Sequence, residues 1–131
     1  YNMSRIRSTG TKPEEMVRKY LFSKGLRYRK NVKTLPGKPG IVFPKYKTVV
    51  FVNGCFWHGH QNCRYFVMPK SNTEYWESKI SNNITRDKTT YESLSALGWN
   101  VLVVWECELK KDKRENTLEY LYYNILRNTK E

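Results

Sequence analysis

The chain has three cysteines and two histidines, and four of these residues lie in one short segment, at Cys55, His58, His60 and Cys63. The fifth, Cys107, follows an apolar run that has the pattern of a buried strand. A closed tetrahedral zinc site takes four thiolate or imidazole ligands, commonly from one tight loop and a more distant partner. The spacing therefore predicts a structural zinc site, which Cys55, His60, Cys63 and Cys107 would complete.

The same residues allow other interpretations. Free cysteines are often buried as small apolar side chains, and an odd number of cysteines excludes complete disulfide pairing. His58 and His60 are two positions apart, so a loop that turns one of them toward a metal turns the other elsewhere. The spacing leaves open which of the two binds, and the remaining one is a candidate acid–base group.

A helix and up to three strands are predicted before this segment. Thr11 and Glu14 have the spacing of a capping box, and Gly25 can end the helix that follows. The alternating run Leu26–Val32 is typical of an edge strand. Two β-branched runs joined by a turn come next, and the second predicts a central strand because it is apolar on both faces; these runs are residues 41–43 and 48–52.

A long helix, a strand and a final helix are predicted after it. Ser71 and Glu74 again have capping-box spacing, and an apolar stripe continues as far as Gly98, which stops the helix. Residues 99–105 have the pattern of another buried strand, and the apolar residues within 118–126 indicate a C-terminal helix. This order of elements predicts a layered α/β domain with a mixed sheet.

The composition favours nucleic acid as the partner. In 131 residues, 24 Lys and Arg stand against 12 Asp and Glu, which gives a formal net charge of +12, and 15% of the residues are aromatic. Such a charge attracts polyanions, and flat rings stack on bases. No apolar run approaches the roughly 20 residues that cross a bilayer, and no secretory signal is recognisable. We therefore expect a soluble intracellular protein without a membrane partner.

The chain is short enough for a single domain, which we expect at residues 11–131, after a basic arm at residues 1–10.

One segment is more specific than any of these patterns. The run Asn-Gly-Cys-Phe-Trp-His-Gly-His at residues 53–60 closely resembles the very-short-patch repair (Vsr) DNA mismatch endonucleases. Shorter matches to the same family extend over nearly the whole chain, at residues 2–3, 11–14, 36–39, 73–76 and 104–107.

The resemblance implies a restriction-endonuclease-like fold of three layers, in which helices flank a central mixed sheet and zinc staples a loop. It implies double-stranded DNA with a T:G mismatch as the substrate, nicked on the 5′ side of the mispaired thymine with Mg²⁺. A single mismatch has no two-fold symmetry, so we expect a monomer. The family context implies the bacterial cytoplasm at the nucleoid, with contacts to other repair proteins.

The resemblance also implies roles for individual residues. His58 matches the catalytic histidine and Asp87 a residue that supports it, whereas Glu14 matches an N-terminal catalytic glutamate. The zinc ligands are the four residues that the spacing suggests, and a strand carbonyl, that of Val52, would help to bind Mg²⁺. Asn53 stands where the family often has histidine. The residues that would wedge into the duplex are Met3, Phe56, Trp57 and Trp76.

Three of these residues have simpler explanations. Glu14 has the position of a capping-box glutamate, which explains it without catalysis. Trp76 lies on the apolar stripe of its helix and could belong to the core. Asp87 lies on the polar side of the same helix, where a carboxylate is commonly solvated.

The chain departs from the family pattern at Gly40, where the family has the aspartate that holds Mg²⁺. Glycine offers no side-chain ligand, and no residue nearby in the sequence is an obvious substitute, since the next carboxylate downstream is Glu74. Hydrolysis of a phosphodiester needs a cation at the phosphate. We therefore expect mismatch binding with poor or no cleavage, and expect Gly40→Asp to restore cutting. The alternative is a non-catalytic, zinc-dependent DNA-binding protein of the same fold.

Overall fold

The structure, a computed structural model, describes residues 12–128. Within this range the chain forms three α-helices and three β-strands, with single turns of 3₁₀-helix after β1 and β3. In chain order the elements are α1 (Lys12–Ser23), β1 (Ile41–Phe43), β2 (Thr48–Asn53), α2 (Thr73–Ala96), β3 (Asn100–Trp105) and α3 (Arg114–Arg127). Residues 1–10, the predicted basic arm that includes Met3, lie outside the described residues.

The three strands form one mixed sheet in the order β1-β2-β3. β1 pairs antiparallel with β2, with Ile41 opposite Val50, and β2 pairs parallel with β3, with Thr48 opposite Asn100. β2 is therefore the central strand, as its uniformly apolar sequence predicts. The mixed sheet is confirmed.

Helices cover both faces of the sheet. Successive side chains of a strand point to opposite faces, so the apolar residues of each strand pack against helices on both sides. On one face Ile41, Phe43 and Val50 pack with apolar residues of α1 and α3 such as Leu21 and Ile125. On the other face Val42 and Val49 pack with Leu94 of α2. The predicted three-layer α/β architecture is confirmed.

One edge of the sheet collects the loops of interest. β2 and β3 are parallel and end side by side, with Asn53 opposite Trp105. β1 runs the other way, so Gly40, which immediately precedes it, lies at this same edge beside the end of β2. In α/β proteins the carboxyl ends of the strands are the usual place for a ligand or active site.

The predicted edge strand Leu26–Val32 is wrong. Only Arg29 makes a β-bridge, in which its backbone N–H donates to the Val42 carbonyl at 2.8 Å and its own carbonyl accepts from Val42 at 2.9 Å. Asn31 then adopts a left-handed conformation with φ of 50°. That conformation breaks the extended pairing, so the segment follows β1 without forming a ladder.

Two helices end at the glycines that the sequence predicts. Gly25, with φ of 90°, follows the end of α1, and the Leu26 N–H donates to the Leu21 carbonyl at 3.1 Å. Gly98, with φ of 93°, ends α2, and the Trp99 N–H donates to the Leu94 carbonyl at 3.0 Å. The capping box predicted from Ser71 and Glu74 is wrong. α2 begins after Asn72, whose side chain makes no capping hydrogen bond, and the Thr73 hydroxyl instead donates to the Pro69 carbonyl at 3.1 Å.

The other capping box begins at Thr11, which lies outside the described residues. None of the helices within residues 12–128 is long and apolar enough to cross a membrane.

Candidate active site and metal centre

The segment after β2 is held tightly against α2. Gly59 has φ of 60°, and a Cβ at this position would lie 2.6 Å from Ile84 Cδ1 and 3.0 Å from Ile80 Cγ2. Only glycine combines this conformation with so close an approach. Asn83 adds a polar contact, since its Nδ2 donates to the Trp57 carbonyl at 2.9 Å.

His58 faces a carboxylate on α2. Its Nδ1 lies 2.6 Å from Asp87 Oδ2, and the two side chains are 31% and 24% exposed. A carboxylate at one ring nitrogen fixes the orientation of the imidazole and its tautomer, which leaves Nε2 to act on a substrate. The structure thus brings together two of the residues that the sequence singles out, and Asp87 is not a simply solvated helix carboxylate.

Asn53 is buried at the end of β2, where its Nδ2 donates to the Tyr91 hydroxyl at 2.8 Å. Burial raises the pKa of the Tyr91 phenol to about 12. Both residues line a cavity of about 510 Å³ together with His58 and Asp87. Its size is within the range of sites for small ligands or part of a larger substrate.

The four predicted zinc ligands converge. The ligand atoms of Cys55, His60, Cys63 and Cys107 all lie within 4.8 Å of one another, and this group does not include His58. Cys107 Sγ and His60 Nδ1 are 3.5 Å apart. Zinc–sulfur and zinc–nitrogen bonds at a tetrahedral angle would separate these atoms by about 3.6 Å. The group can therefore hold a metal such as zinc.

The surroundings of these ligands are fixed by packing. The His60 ring stacks on the Trp105 indole, with centroids 4.0 Å apart and planes inclined by 5°. Cys55 is 1% exposed, and this burial raises the pKa of its thiol to about 12. A metal bound here would displace that proton, because thiolates rather than thiols are the ligands.

A carboxylate lies beside Gly40. A Cβ on Gly40 would stand 2.4 Å from Glu14 Oε2 and 2.9 Å from Glu14 Cδ. Glu14 is buried, and its Oε1 accepts from Arg18 Nη1 at 2.6 Å. Glu14 is distant from Gly40 in the sequence, but α1 brings its first turn to this edge of the sheet. Val52, the proposed carbonyl ligand, lies in β2 opposite Val104.

The aromatic residues predicted to meet DNA form one cluster. The rings of Phe56, Trp57 and Trp76 lie 5.5–5.8 Å apart in edge-to-face contacts. Phe66 and Tyr75 extend the cluster at 6.2 and 5.0 Å from its nearest ring. Trp76 belongs to neither of the two sheet-face cores. Trp57 Nε1 is buried and has no hydrogen-bond partner within residues 12–128.

Residues 1–64 of this chain match the model of the family described as "DNA mismatch endonuclease Vsr". The type II nicking enzyme V.NmeAIP of Neisseria meningitidis serogroup A is 56% identical over 108 residues, which are 82% of this chain and 76% of that protein. The DNA mismatch endonuclease Vsr of Escherichia coli K12 is 41% identical over 109 residues, covering 83% and 69% of the two chains. The chain belongs to the Vsr family.

The type II nicking enzyme V.XorIIP of Xanthomonas oryzae is a further relative, 51% identical over 109 residues, which are 83% of this Vsr-family chain and 79% of that protein. The family resemblance expected from residues 53–60 is thus confirmed.

Sequence reasoning missed three positions in this Vsr-family site: Gly59, Asn83 and Tyr91. Asn83, Asp87 and Tyr91 are spaced by four residues and so lie on one face of α2. They contact Trp57, His58 and Asn53 respectively, so one polar stripe of α2 contacts both the end of β2 and the segment after it. The four-residue spacing was the available signal.

Proposed function

We propose that this chain is a DNA endonuclease that recognises a T:G mismatch and nicks the strand on the 5′ side of the mispaired thymine, with Mg²⁺ as cofactor. The observation that carries the proposal is the His58–Asp87 pair, which lines a cavity. His58 directly follows Trp57 of the aromatic cluster in the sequence. The names of two relatives, a DNA mismatch endonuclease and a type II nicking enzyme, support nicking of DNA at a mismatch or specific site.

In this proposal, the aromatic cluster recognises the mismatch. Phe56, Trp57 and Trp76 have the size and shape to enter a base step, which costs a few kcal/mol in unstacking. A mismatched step opens at a lower cost than a paired one, so wedging itself favours the mismatch. The net charge of +12 supports the accompanying contacts to phosphates. Met3 is proposed to enter from the opposite groove.

His58 of the loop and Asp87 of α2 carry out the cleavage in this proposal. His58 Nε2 takes a proton from the attacking water, while Asp87 holds Nδ1 and stabilises the imidazolium that results. The Val52 carbonyl would help to hold Mg²⁺, which would supply the positive charge that neutralises the scissile phosphate. Asn53, buried and held by Tyr91, can hydrogen-bond a phosphate but cannot move a proton. Gly40 adds no ligand to this site, so we propose that cleavage is slow.

Zinc has a structural role in this proposal. Cys55, His60, Cys63 and Cys107 would hold it. Cys55 and His60 flank the segment that carries Trp57 and His58, so a metal fixes both the recognising ring and the catalytic ring relative to the sheet. The protein is proposed to act as a monomer on DNA in the bacterial cytoplasm, alongside other repair proteins.

The test is strand-specific nicking. Duplexes that differ only in a T:G or T:A pair are incubated with Mg²⁺ and protein, with His58→Ala as the matched control. We expect a slow nick on the thymine strand of the T:G duplex only, abolished in the control, and faster in Gly40→Asp. Equal affinity for both duplexes would contradict mismatch recognition. Mismatch-selective binding without any nick, even in Gly40→Asp, would favour the non-catalytic DNA-binding protein.

A further inference from the structure

The space that a side chain at position 40 would take is filled by Glu14. Glu14 Oε2 stands 2.4 Å from the position of a Cβ on Gly40. Bond lengths and angles put an aspartate carboxylate oxygen about 2.4 Å from its own Cβ. Glu14 therefore brings a carboxylate oxygen as close to that Cβ position as the missing aspartate would.

The position of this carboxylate is held from the helix. Arg18 lies one turn further along α1, and its Nη1 donates to Glu14 Oε1 at 2.6 Å, in a pair whose side chains are each 10% exposed. The Glu14 atom nearest to Gly40 is the other oxygen, Oε2. Arg18 thus fixes the carboxylate so that Oε2 points to the edge of the sheet where β2 ends.

Glu14 can occupy this place only because residue 40 is a glycine without a Cβ. Real Cβ atoms essentially never approach another atom as closely as 2.4 Å, so any other residue at position 40 would displace the carboxylate. An ion pair buried for stability alone gains little, because the desolvation of both charges offsets their attraction. A ligand role explains why a carboxylate occupies this particular place.

We propose that Glu14 has taken over the divalent-cation ligand role that the aspartate at position 40 has elsewhere in the family. The cation would then be bound from α1 instead of from the residue that precedes β1. This proposal rests on the proposed function, since it concerns the cation of that same site. It also gives a physical basis for the proposed slow cleavage without an acid at position 40.

The test measures Mn²⁺ binding to the zinc-loaded protein, by the electron paramagnetic resonance signal of free Mn²⁺. The variants are Glu14→Gln, the double variant Glu14→Gln/Gly40→Asp, and Glu15→Gln as the control. Glu15 is the next residue of the helix and is exposed, so its substitution removes the same charge away from the site.

We expect Glu14→Gln to weaken Mn²⁺ binding by at least about tenfold, Glu15→Gln to leave it unchanged, and the double variant to recover it. Unchanged Mn²⁺ affinity in Glu14→Gln, absence of binding in the parent, or a double variant that stays weak would each overturn the proposal. Gln can still accept from Arg18, and zinc content reports whether each variant has kept its fold.

A second measurement does not require Glu14 to be removed. In Gly40→Asp two carboxylates compete for one space, so its melting temperature should fall below that of the parent without Mn²⁺. Added Mn²⁺ should raise it by more than it raises the parent's, because the cation bridges the two groups. An equal rise of the melting temperature in the parent and in Gly40→Asp would show that Glu14 and Asp at position 40 do not bind the same cation.

Failure of this proposal can be told from failure of the proposed function. The preference for T:G over T:A duplex, measured without added divalent cation, depends on the aromatic cluster and not on Glu14. If the protein still prefers the T:G duplex but Glu14→Gln leaves Mn²⁺ binding unchanged, only the assignment of Glu14 as a ligand is overturned. Lost preference with Glu14-dependent Mn²⁺ binding overturns mismatch recognition alone.

Discussion

Replacing Gly59 with alanine should loosen the loop that carries His58. The new methyl group would lie 2.6 Å from Ile84 Cδ1 and 3.0 Å from Ile80 Cγ2, at a backbone φ of 60°. A left-handed conformation costs a residue with a side chain about 1–2 kcal/mol, and overpacking adds about 1–3 kcal/mol. The free energy of unfolding should therefore fall by about 2–5 kcal/mol, as the sum of these two contributions.

A matched control separates the two contributions. Gly25 also has a left-handed backbone, with φ of 90°, but nothing lies within 4 Å of a Cβ placed there. Gly25→Ala pays for the conformation alone, so the difference between the two variants isolates the steric contribution of about 1–3 kcal/mol. Adding Ile84→Val to Gly59→Ala removes the closest atom, Cδ1, and should recover part of that difference.

The assay is urea unfolding of the zinc-loaded proteins at one temperature, followed by nicking of the T:G duplex. Gly59 is next to His58, so displacement of the loop should also separate the imidazole from Asp87 and reduce the nicking rate. If Gly59→Ala and Gly25→Ala lose equal stability within about 0.5 kcal/mol, the limit for substitutions without a specific steric cause, the close packing of the loop on α2 is refuted.

Three further predictions concern individual contacts. Asp87→Asn should lower the single-turnover nicking rate by about 10²–10⁴-fold, because the wrong tautomer of His58 is favoured; duplex affinity should not change, and an unaltered rate would contradict the pair. Cys107→Ser should weaken zinc binding by more than about tenfold, measured by competition with a chelator; equal zinc retention would show that Cys107 is not a ligand. Tyr91→Phe removes the acceptor of Asn53 Nδ2 and should destabilise the protein by about 1–3 kcal/mol in thermal unfolding; no loss would mean that Asn53 finds another partner.

Local features of the site could be predicted from the sequence. Ligand type and spacing were enough to select the three cysteines of the candidate metal site and to expect one histidine with them. Which histidine joined them was open from spacing alone, and the geometry assigns His60 to the group and His58 to Asp87. The end of α2 was also predictable, because Gly98 adopts a conformation that other residues avoid.

Contacts between distant elements could not be predicted in this way. The approach of Glu14 to Gly40 depends on how α1 packs against the sheet, and no local pattern encodes that distance. The strand expected at Leu26–Val32 has the right alternation, but a single residue, Asn31, turns left-handed and interrupts it. Pattern reasoning averages over several residues, so it misses an effect that one backbone angle decides.

In the proposed reaction, α2 connects recognition with cleavage. It carries Trp76 in its first turn and Asp87 eleven residues later, which is about 16 Å along a helix. The two ends are bridged by Trp57 and His58, which are adjacent in the loop and contact Trp76 and Asp87 respectively. A base step opened by the tryptophans therefore stands at a fixed distance from the imidazole. In this proposal, the distance along α2 between Trp76 and Asp87 sets the position of the nick relative to the mismatch.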